Sequence, residues 1–275
     1  MADFLARRWR RQPTGAVVLD FSNPLLRDVR FVGALLNGNA WDAFRNRRGT
    51  YSGSAVPSVN ALAQETAAFV EQSTISSVDF ASSNDTNVTG EVTLLYRFLY
   101  TSASSSGAHF GKNTSNGTTA TPFGFDFTPS LGRSIRSNTD FRYHDSATGF
   151  AHNVLNTALV AAPADIAVAP RFFRNGVKLG LGASVGSGSG AATTNSNPVK
   201  MGARIDATIR QTGFANLGIV WSRQLTDGEA AEITYAPWQI FKPLRARVYS
   251  LPSTLTFNPS WAAGSNQYLG GGLYA

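Results

Sequence analysis

RFFRNGVKLG (171–180), PVKMGAR (198–204) and GFANLGIVWSRQLTDGEAAEITYAPWQIF (213–241) decide how this chain folds. In the first, an aromatic run meets Asn175-Gly176 and returns through Val177. Asn and Gly tolerate the positive φ that a two-residue type I′ turn requires, so the segment reads as a β-hairpin. In the third, Ile219 and Trp221 fall on one face of a strand, because side chains alternate with period two. Thr226 followed three positions later by Glu229 spells a capping box. That predicts a short helix over 226–235, which Pro237 ends. Leu225 is placed beneath the capped turn, and Trp238 and Phe241 close an open end of the fold, Trp238 as a core plug.

The rest of the chain extends the β reading. EVTLLYRFLYT (91–101) is dense in β-formers and aromatics, FGFDF (123–127) alternates cleanly, and SIRSNTDFRY (134–143) alternates less cleanly. Further strands are expected at 165–169 and 171–174 on either side of Pro170, and at 199–203 and 217–221. Short strands punctuated by Gly, Ser, Asn and Pro predict a sandwich or barrel rather than βαβ units. Apart from the capped turn, the best helical segment is SVNALAQETAAFV (58–70). Two polar, low-complexity stretches, 102–121 and 182–197, cannot build a core. They are either solvated loops or a recognition surface at one edge of the scaffold.

The order of features from Phe172 onward resembles the C-terminal half of a laminin-G-like, concanavalin-like jelly roll. The residues that carry the resemblance are Asn175, Gly176, Gly202, Ala203, Arg204, Gly218, Ile219, Trp221, Leu225, Thr226, Glu229, Pro237, Trp238 and Phe241. NPLLRDVRFVGALLNGNAWDAFRNRRGTYSG (23–53) is similar to the opening of phage and metagenomic members, with strands at 77–80 and 91–100 to follow. The family's acidic, glycine-rich stretch after the first strand is reduced here to residues 37–41. The resemblance implies an all-β antiparallel sandwich over 20–243, flanked by a basic arm (1–19) and an extended tail (244–275). It also implies a kinship with virion proteins of tailed phages.

Charged residues make up 15% of the 275 and Cys is absent, so disulfides and Cys-based metal sites are excluded. No apolar run follows the basic N-terminus and none approaches membrane-spanning length, so a soluble chain without a leader is expected. The net charge of +7 is fed by Arg7, Arg8, Arg10 and Arg11 around Trp9, by Arg45, Arg47 and Arg48, and by Lys242, Arg245 and Arg247. Trp and Arg are typical interface anchors, which makes Arg7, Arg8, Trp9, Arg10 and Arg11 assembly-contact candidates. In the tail, Trp261, Tyr268, Leu273 and Tyr274 join them, with glycines 270–272 allowing close backbone approach.

Catalytic patterns are missing from the sequence. Retaining glycan hydrolases on this fold need two carboxylates about 5–5.5 Å apart, and no Glu-x-Asp-x-x-Glu strand occurs; Glu91 stands alone, and Glu229 and Glu232 belong to the capped turn. His109, His144 and His152 have no metal-ligand spacing. His144 and Asp145, adjacent on a strand, point to opposite faces. Asp85 with Asn84 and Asn87 forms a loop cluster too sparse for Ca²⁺. The expectation is a non-enzymatic virion structural protein, a capsid decoration subunit without cofactor, metal or membrane. Its partners would be other virion proteins and its own copies rather than nucleic acid. The alternative is a carbohydrate-binding module or tail-fibre receptor-binding protein that meets host-surface glycans, with Phe110 and Phe123 as exposed stacking residues. A glycan hydrolase is the minor alternative.

Overall fold

In the computed structural model, residues 10–60, 64–71, 76–101, 107–113, 120–204 and 211–244 are described. Met1–Pro243 forms one unit and Leu244–Ala275 a second. In chain order the strands are β1 (Val17–Leu19), β2 (Val29–Leu36), β3 (Asn39–Asp42), β4 (Arg47–Arg48), β5 (Thr50–Ser52), β6 (Val56–Asn60), β7 (Glu65–Val70), β8 (Ser77–Phe80), β9 (Val92–Tyr100) and β10 (Ala108–Lys112). There follow β11 (Thr121–Phe127), β12 (Gly132–Ser137), β13 (Phe141–Ser146), β14 (Leu155–Ala162), β15 (Arg171–Arg174), β16 (Val177–Leu179), β17 (Leu181–Val185), β18 (Val199–Gly202) and β19 (Gly213–Trp221). Helix α1 (Asp227–Tyr235) and β20 (Phe241–Pro243) complete the unit.

Two antiparallel sheets make the sandwich. The eight-stranded sheet runs β17-β13-β12-β11-β10-β18-β8-β5, and the ten-stranded one β16-β15-β14-β9-β19-β2-β3-β4, with β7 and β6 on the side of β19. β19 is long enough for two partners along one edge: residues 213–215 pair with β7 and 217–221 with β2.

Between the sheets lies an aromatic core. Phe110, Phe123, Phe125 and Phe127 from one sheet meet Tyr96, Phe98 and Tyr100 of β9 from the other. Phe125 and Phe127 are 3.8 Å apart between ring centroids, and Phe98 and Phe127 4.6 Å. A second core covers the other face of the ten-stranded sheet, where Leu95, Leu159, Leu217, Ile219 and Trp221 pack against Leu225, Ile233, Trp238 and Phe241. β9 is therefore buried on both faces, which explains its unbroken apolar run.

The local chemistry read from the sequence holds. Asn175 (φ 49°) and Gly176 (φ 90°) make the turn between β15 and β16. Thr226 Oγ1 accepts from Glu229 N while Glu229 Oε2 accepts from Thr226 N, a complete capping box. Arg223 and this cap hold the Glu229 carboxyl down at about 2. Trp238 is fully buried, but with Phe241 it covers the outer face of the ten-stranded sheet rather than an open end of the sandwich.

Three segments differ from expectation. Residues 58–70 hold no helix among the described residues; β6 and β7 are paired antiparallel there, Val56 opposite Phe69 and Ser58 opposite Ala67. The run 134–143 spans two strands, β12 and β13, and Asp140 N donates to Asn138 Oδ1 in the turn between them. Residues 165–169 are not a strand, because Asp165 Oδ1 takes Ala167 N and Gly190 N and bends the chain.

The described part of the N-terminal arm folds back on its own domain. Gln12 Nε2 donates to Leu35 O and Thr66 O, Arg10 O accepts from Arg97, and β1 pairs with β20. The Arg10 guanidinium sits 3.2 Å from the centroid of the Tyr235 ring, whereas Arg11 is exposed. Arg7, Arg8, Trp9, Trp261, Tyr268, Leu273 and Tyr274 lie outside the described residues.

Candidate ligand-binding face

Strand alternation sorts the eight-stranded sheet into an inward face, which carries the phenylalanines, and an outward one. Register then aligns the outward residues in rows. One row reads Asp145, Arg133, Asp126, His109 and Gly202 across β13, β12, β11, β10 and β18. The next reads Val185, Tyr143, Ile135, Gly124, Gly111, Lys200, Asp79 and Thr50 across all eight strands. Residues far apart in sequence thus become direct cross-strand neighbours.

At the β13 end the face is aromatic and half-exposed. Phe141 and Tyr143, two apart on one strand, lie with ring planes 21° apart and centroids 5.9 Å apart. The Arg133 guanidinium sits 4.0 Å from the Tyr143 centroid, a cation–π distance. Arg133 also forks onto Asp145, Nε to Oδ1 at 2.8 Å and Nη2 to Oδ2 at 3.0 Å. This carboxylate raises the Arg133 pKa above its ordinary value.

The middle and far end are polar. Asp126 Oδ1 lies 2.7 Å from His109 Nδ1, and Asp126 Oδ2 takes Arg204 Nη1 at 3.2 Å. Lys200 Nζ donates to Asp79 Oδ2 at 2.6 Å. Between the aromatic and polar ends the sheet has a floor of backbone. Gly111 and Gly124 face each other, and a Cβ on Gly111 would stand 2.7 Å from Gly124 Cα. A Cβ at Gly124 would collide with the Asn113 carboxamide, which packs over both glycines.

The low-complexity stretch after β17 edges this face as a strap. Thr193 N donates to Ser137 O, Asn138 Nδ2 to Ser189 O, Asn195 Nδ2 to Lys112 O and Ala120 O, and Asn197 Nδ2 to Asn113 O. It crosses the ends of β12, β11 and β10 in turn and is tied down by amide side chains. The other low-complexity stretch contains β10, and its residues 102–106 and 114–119 lie outside the described ones.

The face corrects the aromatic assignment. Phe110 and Phe123 are fully buried between the sheets and offer no ring to a ligand. Their polar sequence neighbours suggest exposure, but His109 and Gly111 take the outward face and turn Phe110 inward. Phe141, Tyr143, Arg133 and Asp145 are what sequence reasoning missed; the signal was the weak alternation of 134–143, obscured by the turn inside it. His144 points inward from Asp145, its Nε2 donating to Ile166 O and its Nδ1 accepting from Ser184 Oγ. Burial lowers its pKa.

The Asp85 loop meets cations of the protein itself. Arg45 Nε bonds Asp85 Oδ2, and Lys112 Nζ donates to Ser82 Oγ at 2.7 Å and Asn87 Oδ1 at 2.6 Å. Among the described residues no three of His, Asp and Glu gather to hold a metal ion. Lys112 is fully buried, and desolvation, helped by Arg45, lowers its pKa to about 8. Between that value and the ordinary 10.5 the unfolded chain keeps a proton that the folded chain releases. Stability from this group therefore rises with pH across the window and is flat below it. Chemical denaturation at pH 8 and pH 10 is expected to show the rise, and Lys112→Met to remove it; an unchanged slope in the variant would refute this.

No protein-family model and no curated protein matches the sequence. Solved structures match in fold. The binding domain of Paraclostridial Mosquitocidal Protein 1 superposes with a TM-score of 0.55 at 10% identity, over 76% of this chain and 52% of that one. Domain 4 of AbnA, a GH43 extracellular arabinanase from Geobacillus stearothermophilus solved with arabinotriose, gives 0.51 at 11% identity, over 75% of this chain and 98% of the domain. Trypanosoma rangeli sialidase, in complex with the inhibitor DANA, gives 0.50 at 9% identity, over 76% of this chain and 33% of the enzyme. The chain spans about half of the mosquitocidal binding domain and a third of the sialidase. At these identities the likeness is one of fold alone, an antiparallel β-sandwich.

Proposed function

We propose that the chain is a non-catalytic glycan-binding module and that the outward face of the eight-stranded sheet is its contact surface. The observation that carries this is the strip of Phe141 and Tyr143 beside the Arg133–Asp145 fork. A sugar ring has an apolar C–H face and a rim of hydroxyls, and a flat aromatic surface beside fixed hydrogen-bonding groups complements both. The fold of the arabinanase domain, solved with arabinotriose, supports the reading; fold alone does not imply function, so the weight rests on the strip. The outward carboxylates Asp145, Asp126 and Asp79 are each engaged by a cation of the protein, which favours binding over catalysis.

Tyr143→Ala is expected to weaken glycan binding about tenfold, the equivalent of ~1.4 kcal/mol, with little change in melting temperature because the ring is half-exposed. Calorimetric titration of wild type and variant with the best ligand from a glycan array checks it. Equal affinities would remove the strip from the contact surface. The virion reading, with terminal arms (1–19 and 244–275) that hold the chain to other subunits, is supported by the composition of the arms and the resemblance of 23–53 to phage members. It is compatible with glycan binding and takes second place because no described surface argues for it.

A further inference from the structure

We infer that the glycan taken by this face is uncharged and that Asn113 reads a pair of its neighbouring hydroxyls; this rests on the glycan-binding reading above. The first ground is charge. Among the described residues the cations in these rows and beside them are each matched, Arg133 by Asp145, Arg204 by Asp126 and Lys200 by Asp79. Among the described residues a sugar carboxylate would meet no unmatched positive charge there to offset the cost of its desolvation.

The second ground is an orphan amide. Asn113 follows β10 with the outward parity of His109 and Gly111, and its carboxamide lies over the glycine floor. A Cβ on Gly124 would stand 2.3 Å from Asn113 Oδ1 and 2.7 Å from Nδ2. The residue is 3% exposed, and neither Oδ1 nor Nδ2 has a hydrogen-bond partner. A buried amide with both functions unmet is destabilising and rare in native proteins. Where a fold retains such a group, a ligand that satisfies it is the physical explanation to test.

The chemistry of the group then names the ligand class. A carboxamide presents one acceptor and two donors in a plane. Two vicinal hydroxyls each donate and accept, so a diol can take one bond from Nδ2 and give one to Oδ1. The absence of side chains at Gly111 and Gly124 makes the space that the Asn113 carboxamide occupies, the Asn195–Asn197 part of the strap fixes the backbone beside it, and Tyr143 stands in the same row as the two glycines.

The test uses the full chain at about 0.15 M salt, where the Debye length of ~8 Å screens the long-range pull of the protein's overall charge on anions. Arabinotriose, lactose and 3′-sialyllactose are titrated by calorimetry beside a broad glycan array. Lactose and sialyllactose differ by one acidic sugar, so they isolate charge. The expected result is binding to neutral glycans, weaker or absent binding to sialylated ones, and an Asn113→Ala variant about tenfold weaker. Because Asn113 has no side-chain hydrogen bond to lose, the melting temperature of N113A should hold or rise. A preference for sialylated over neutral glycans would overturn the inference and leave the glycan reading standing. So would unchanged affinity in N113A, or a melting point lowered by the substitution, which would make the amide structural. If no glycan on the array binds, both readings fall together.

Discussion

Glu65→Ala is expected to destabilise the sandwich by about 3–5 kcal/mol, the cost of stranding a buried charge. Glu65 is 2% exposed and Arg97 6%. The carboxylate accepts Arg97 Nη2 at 2.8 Å and Nε at 3.0 Å, Asn216 Nδ2 at 2.5 Å and Gln12 N at 3.1 Å. Its removal leaves the guanidinium with only Thr157 Oγ1 and Arg10 O, and water cannot reach it to compensate. Four parts of the chain meet at this carboxylate: β7, β9, β19 and the segment at Gln12. The loss should therefore be cooperative, appearing as a lower urea midpoint without a second transition. The double variant Glu65→Leu with Arg97→Met removes both charges and is expected to recover most of the loss. A single-variant cost below about 1 kcal/mol, the range of an exposed pair, would show that the pair is solvated and that the N-terminal segment does not seal it.

The same pair explains what the sequence disclosed and what it withheld. The turn at Asn175-Gly176 and the cap at Thr226 were legible because their chemistry is local: positive φ at two residues, and reciprocal hydrogen bonds across three. In residues 58–70 Ala and Leu favour a helix, yet β6 and β7 pair there. The decisive interaction, Glu65 with Arg97, spans 32 residues and outweighs propensity through packing. The candidate face was less legible still. Tyr143, Arg133, Gly124, Gly111 and Lys200 become neighbours only through register, and register depends on every hairpin between them. The sequence around Phe110 and Phe123 is polar and suggests exposure. Strand parity, which a polar low-complexity stretch hides, puts them inside.

The two buried tryptophans of the second core offer a contrast that tests how the ten-stranded sheet holds its cover. Trp221 and Trp238 are both fully buried in one cluster with Leu225, Ile233 and Phe241. Either replaced by Ala should cost about 3–5 kcal/mol through lost burial and the cavity left behind. Replacement by Phe separates them. Trp221 Nε1 donates to Leu25 O at 2.6 Å, fastening the 3₁₀ turn Pro24–Leu26 to the end of β19, whereas Trp238 Nε1 has no partner. Trp221→Phe therefore loses a hydrogen bond and leaves a buried carbonyl short of its donor, about 1–3 kcal/mol beyond the change in volume. Trp238→Phe loses only volume and sheds an unmet donor, so it should be the milder of the two by melting temperature. Equal costs would mean that packing alone joins the 3₁₀ turn to β19. A larger cost at Trp238 would mean that its indole N–H is bonded in solution and that the cover sits differently on the sheet. The expected order, with Trp221 dominant, makes the fastening of the Pro24–Leu26 turn to the outer face of the ten-stranded sheet depend on a contact spanning 196 residues.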